Sequence, residues 1–182
     1  MKEQLGEDLQ ITWRSFALEQ VNSKNGPDWK AWEQGPEYIS RGLWPLRGGN
    51  AARRQGEAAH TAYMNTILEL KHVVREDVRT REAVIDVAKR AGLDVDRFTA
   101  DIDDPETLAQ VGRDHEEAVA QGIFGTPTFV FEDGAAAYLK TFTPPEAETM
   151  DAFHDVIGAV RGRKYVGEIK RPQPPWPRGA TD

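Results

Sequence analysis

The chain has 182 residues, and 23 Lys and Arg against 30 Asp and Glu leave it a formal net charge of −7 with no cysteine. The length suits one domain, or one domain carrying a large insertion, and the acidic balance argues against a general nucleic-acid binder, which needs a basic footprint. The missing cysteine excludes, within these residues, disulfides, a thiolate zinc site, a cysteine nucleophile and a redox C-x-x-C.

Residues 1–8 read as the polar end of a helix with Gly6 at its C-cap. They contain no apolar h-region, so no signal peptide is expected and the cytoplasm is the default compartment. Leu9 to Leu18 follows as a period-two strand. Leu9, Ile11, Trp13 and Ser15 line one face, and Gln10, Thr12, Arg14 and Phe16 the other. Residues 22–50 are rich in loop formers, including Asn25-Gly26-Pro27, Gly35-Pro36, Pro45 and Gly48-Gly49-Asn50. They also hold Trp29, Trp32 and Trp44. Those rings either cap a small helical subdomain or form the wall of a binding pocket.

From about Ala51 the spacing predicts helices. Ala59, Tyr63, Ile67 and Leu70 recur at helical intervals. Ala83, Val84, Val87, Ala88 and Ala91 do so again, with Gly92 ending that helix. Asp104-Pro105-Glu106 is a helix start, with an Asp N-cap, Pro at the first position and an acid in the first turn. That helix carries Leu108, Val111, His115, Ala118 and Val119, and stops at Gln121-Gly122. The period then changes. Ile123 to Phe131 is a turn running into a strand, Glu132-Asp133-Gly134-Ala135 a hairpin turn, and Ala136 to Thr141 a second strand. Pro144-Pro145-Glu146 opens a last helix with Met150, Phe153, Ile157 and Val160 on one face, and a proline-rich tail follows. No apolar run approaches the roughly 20 residues that span a bilayer, so no membrane partner is expected. The order is α/β with an inserted helical block.

The histidines give weak signals. Glu69, His72 and Glu76 sit at helical spacing, which suits a solvated ion-pair face better than a metal site. His115-Glu116-Glu117 reads as a surface cluster rather than a catalytic base, and no metal is expected. Arg53-Arg54 and Arg161-Gly162-Arg163-Lys164 are basic patches too short to overturn the acidic balance.

The most specific stretch is Gly122-Ile123-Phe124-Gly125-Thr126-Pro127-Thr128-Phe129-Val130-Phe131. With the strand Leu9–Leu18 before it, and the hairpin and helix after it, the chain resembles the DsbA-like branch of the thioredoxin superfamily. Within that branch it is similar to a subgroup that includes the mycothiol-dependent nitroreductases. The likeness runs from Ile11-Thr12-Trp13-Arg14-Ser15-Phe16-Ala17-Leu18-Glu19 to Tyr165–Pro172.

The resemblance implies a thioredoxin-like fold of DsbA type with an inserted helical subdomain. Residues 1–24 and 104–170 would form the thioredoxin-like part, 25–103 the insertion and 171–182 an irregular tail. Thr126-Pro127 would be the family's cis-proline, and Gly125, Thr126 and Pro127 a loop offering backbone to an extended substrate or thiol. Asn22 matches a position near the substrate pocket. The implied activity is thiol–disulfide oxidoreduction on a small-molecule or protein thiol or disulfide. No cofactor is bound, and a low-molecular-weight thiol, mycothiol or glutathione, serves as co-substrate.

The family's first strand and C-P-W-C helix should precede Leu9, where only eight residues stand, so the first strand and first helix are expected to be missing and no catalytic residue is assigned. Unmade buried hydrogen bonds cost about 1–3 kcal/mol each, so a chain lacking that central strand is expected to be marginal as a monomer. Two explanations present themselves: a gene start assigned too late, or a true short form stabilised by a partner strand or as a homodimer. Kappa-class glutathione transferases and 2-hydroxychromene-2-carboxylate isomerases, which use a serine in that first segment, are an alternative family reading. A cysteine-free protein that binds a ligand or peptide is the non-enzyme alternative.

Overall fold

The computed structural model describes residues 5–6, 9–26, 28–35, 37–140 and 144–169. These are mostly helical, with a single two-stranded sheet among them. They divide into two compact units, Met1–Trp13 with Thr126–Asp182, and Arg14–Gly125.

The Arg14–Gly125 unit holds α1 (Leu18–Val21), α2 (Leu43–Arg53), α3 (Glu57–Glu69), α4 (Arg81–Arg90), α5 (Val95–Asp103) and α6 (Pro105–Ala120). Local chemistry starts and stops most of them. The Thr80 hydroxyl accepts from the Ala83 amide, and the Asp94 carboxylate from the Arg97 amide. Asp104 accepts from the Glu106 amide with Pro105 at the first helical position, so this helix start is as the sequence reads. At the end of α4, Gly92 takes φ +75°, and the Leu93 amide returns to the Ala88 carbonyl.

Two packed clusters hold the unit together. The larger joins Ala51, Ala52, Tyr63, Ile67, Val84, Val87, Phe98 and Ile102 from α2 to α5. The smaller joins Ala17, Ala31, Leu43 and Val111, with Trp29, Trp32 and Tyr38 packed against it. Trp44 packs against the larger cluster. All three tryptophans therefore cap cores.

Three local expectations are corrected. Residues 43–50 are helical, not loop. Pro45 is tolerated in a first turn, and Gly48 is required because the Tyr63 ring crosses its backbone too closely for any Cβ. Leu9 to Ala17 forms no strand, and its burial does not alternate: residues 10–14 are exposed and 15–17 are buried in succession. The amides of Ser15 and Ala17, two apart as along a strand edge, are taken by side chains of α6 instead of a neighbouring strand. Third, α3 runs into a single π-turn, Leu70–Val74, ended by Arg75 at φ +69°.

In the other unit, β1 (Thr128–Val130) pairs antiparallel with β2 (Ala136–Tyr138), with Phe129 opposite Ala137. The turn between them closes with Gly134 at φ +79°, as the hairpin signal predicts. A 3-10 turn, Glu146–Glu148, leads into α7 (Thr149–Gly162). The expected strand end at Thr141 and most of the tail and N-terminal segment lie outside the described residues.

Candidate functional site

Helix α6 ends where Gly122 takes φ +80° and the Ile123 amide bonds to the Ala118 carbonyl at 3.0 Å. The chain is thereby turned out of the helix and delivered to β1. Gly125 is buried, and Thr126 and Pro127 are exposed. The Thr126–Pro127 peptide is cis. The Pro127 carbonyl accepts the Leu139 amide at 3.0 Å and so forms the first rung of the hairpin. Pro127 has no N–H to give, which fits the entry to a strand. Among the described residues, Thr126 makes no hydrogen bond. Thr126 is thus an exposed residue at the mouth of a strand with its backbone groups unbonded among the described residues.

Asn22 is exposed and ends α1, where its side-chain nitrogen donates to the Leu18 carbonyl at 2.7 Å. Its amide is therefore engaged with its own helix. Asn22 and Gly125 belong to the Arg14–Gly125 unit, and Thr126 and Pro127 to the other.

A second cluster was not legible as a site in the sequence. Asp114, whose side chain is fully buried, accepts from Arg14 Nη1 at 3.2 Å, the Ser15 amide at 3.0 Å and Gln110 Nε2 at 2.8 Å. His115 accepts the Ala17 amide through Nδ1 at 3.2 Å. Its ring centroid lies 4.6 Å from that of Phe16 and 5.2 Å from that of Trp32. The surface-cluster expectation for His115 is thus corrected: the ring is 4% exposed. The available signal was its spacing from Val111 and Ala118, which places it on the buried face of α6. Burial holds the His115 pKa below its ordinary value, and Lys30 pushes the same way against Glu116. Glu116 itself pairs with Lys30 at 3.2 Å.

The remaining candidates are structural. His60 is buried in α3, its pKa lowered first by burial and then by Arg53. His72 is exposed on the π-turn, and among the described residues no ion pair joins it to Glu69 or Glu76. Glu76 pairs with Arg90 instead. The π-turn and the left-handed Arg75 carry Glu76 off the helical face that the spacing assumed. No group of metal-ligating side chains occurs among the described residues. Within the basic patches, Arg54 binds Asp101 and Asp104, and Arg161 binds Asp133. No described helix is long and apolar enough to cross a membrane.

Residues 46–158 match the DSBA-like thioredoxin domain family. The chain is also similar to uncharacterized protein Rv2286c of Mycobacterium tuberculosis (strain ATCC 25618 / H37Rv), at 28% identity over 179 residues, covering 96% of this chain and 74% of that protein. A third similarity is to the Na(+)/H(+) antiporter NhaA of Herminiimonas arsenicoxydans, 36% identical over 100 residues. That match covers 52% of this chain and 15% of the antiporter.

Proposed function

Since the chain belongs to the DSBA-like thioredoxin domain family, we propose that it is a thiol–disulfide-type oxidoreductase whose cysteine-bearing strand and helix lie upstream of Leu9, beyond this sequence. The family match over residues 46–158 carries the reading. The open backbone of Thr126 at the mouth of β1 supports it, because an extended peptide or thiol conjugate can add to such a group as a short strand.

In this reading the upstream thiolate attacks a substrate disulfide. One sulfur–sulfur bond breaks, a mixed disulfide forms, and the substrate's other sulfur leaves as a thiolate. A low-molecular-weight thiol, mycothiol or glutathione, then attacks the mixed disulfide and releases the bound half. Gly125, Thr126 and Pro127 position the partner during both steps. Asn22 is retained as a substrate-pocket residue on the family resemblance alone. The protein works in the cytoplasm, within the subgroup that includes the mycothiol-dependent nitroreductases.

The intact mass of the endogenous protein tests this. A mass about 3–4 kDa above 20.4 kDa, for a missing strand and helix of roughly 30 residues, is expected. A C-x-x-C in the added residues completes the reading, whereas a serine there assigns the chain to the glutathione-transferase-like relatives. A mass of 20.4 kDa overturns it. The absence of any cysteine in the 182 residues then favours a second reading, a homodimeric or partnered protein that binds a peptide or ligand at the Thr126 loop.

A further inference from the structure

Residues 14–17 are fastened to α6 by two neighbouring side chains. Asp114 holds Arg14 and the Ser15 amide, and His115 Nδ1 accepts the Ala17 amide at 3.2 Å. A ring nitrogen that accepts an N–H carries no proton, so His115 is neutral here, with its hydrogen on Nε2. Phe16 packs on one side of the ring and Trp32 on another, with centroids 4.6 and 5.2 Å away.

We propose that His115 is an acid-operated latch: a proton taken from solvent by Nδ1 replaces an acceptor with a donor facing the Ala17 amide, and Phe16 and Ala17 come off α6. The opening is local. Ser15 stays bound to Asp114. Beyond Ala17, α1 stays tied through Gln20, which bonds to the backbone of Trp29 and Ala31, and through Glu19, which accepts from Tyr38, Ser40 and Arg41. What opens is therefore the apolar contact between Phe16, His115 and Trp32.

The charged groups around the ring come from each element packed on it. Lys30, leading into the 3-10 turn Ala31–Glu33, opposes protonation, and Glu116 on α6 favours it. Arg14 and Asp114 neutralise each other. Glu33 is exposed on its turn, and Glu19 on α1 faces Tyr38, Ser40 and Arg41. With burial and Lys30 on the same side, the latch opens below the ordinary histidine value of 6.5. The device is independent of any thiol chemistry.

Amide hydrogen exchange at Ala17, corrected for intrinsic rates, tests the latch in the 182-residue chain. Its protection should fall as pH drops from the ordinary histidine value of 6.5 toward the lower His115 midpoint of the closed state, by up to about tenfold per unit, the limit for one proton, and level off below that midpoint. In His115→Asn, whose Oδ1 can replace Nδ1 as the acceptor, protection should stay flat. Protection that stays flat in the parent protein, or falls equally in His115→Asn, overturns the proposal. Should His115→Asn not fold, the parent protein still decides the matter by NMR titration. The Ala17 amide and the His115 ring must share one midpoint, and an Ala17 midpoint that follows His60 or His72 overturns it.

Discussion

The Trp32 indole lies so close to the backbone of Gly112 that a Cβ at Gly112 would sit 2.5 Å from its Nε1. The ring is held there by His115 and by the cluster of Ala17, Ala31, Leu43 and Val111. Gly112 is thus the gap in α6 into which the 3-10 turn is keyed. Gly112→Ala should destabilise the protein by about 1–3 kcal/mol of overpacking, reduced by at most about 1 kcal/mol of helix propensity. Urea unfolding reads the difference, and an unchanged midpoint would mean that the indole moves aside freely. Gly48→Ala should do at least as much harm, because Tyr63 is fully buried and its hydroxyl donates to the Pro45 carbonyl at 3.2 Å.

Asp114→Ala removes the acceptor for the Ser15 amide inside the fold. A buried donor left unmatched costs about 1–3 kcal/mol. The Arg14 partner adds little, since its side chain is 59% exposed and water takes over its bonds. Arg14→Ala should therefore lower the unfolding midpoint much less than Asp114→Ala. Equal losses would show that the ion pair, not the amide bond, fastens the segment.

Stability should fall as the medium is acidified below the ordinary histidine range. His60, His72 and His115 are each held below 6.5, with burial the first cause in every case. The unfolded chain takes up these protons near 6.5, and the folded chain only at lower pH. Above that value the stabilisation is fully present, and it is lost progressively as pH drops toward the folded values. Urea midpoints should be lower near pH 5.5 than near pH 7.5. A midpoint that rises on acidification contradicts the assignment.

Much of this architecture could be read directly from residues. Asp104-Pro105-Glu106 starts α6, and Gly92 and Gly122 end helices, because capping and left-handed turns are local chemistry. The hairpin and the strand-entry Pro127 were legible for the same reason, whereas the cis Thr126–Pro127 peptide was expected only through the family resemblance. Leu9 to Ala17 was not. Its alternation of β-favouring residues describes an extended chain, but whether such a chain joins a sheet depends on what lies beside it. Here Asp114 and His115, about a hundred residues away, supply the acceptors. Helix α2 was missed because Pro45, Gly48 and Gly49 carry loop propensity, which the crossing of Tyr63 overrides. His115 was misjudged because its two glutamate neighbours look like a surface.

Resistance to proteolysis should differ sharply between the two units. None of the described residues in Met1–Trp13 and Thr126–Asp182 is buried, and Phe129, Val130 and Tyr138 are 44%, 50% and 43% exposed. A two-stranded hairpin is marginal alone in water. Limited trypsin digestion followed by mass spectrometry should cut at Lys140, Arg161, Arg163 or Lys164 well before any site within residues 14–125. Early cleavage inside the helical unit would contradict this ranking.

The contact between Arg14 and Asp114 joins residues 100 apart in sequence. Closing a loop of that size costs roughly 4 kcal/mol of chain entropy by the logarithmic law. A few hydrogen bonds at about 1 kcal/mol each do not exceed that cost. The segment therefore cannot gather α6 to itself. It settles only after α2 to α6 have assembled and brought its acceptors within reach. Closure at this point is a late event in folding, so a mutation there should speed unfolding far more than it slows refolding.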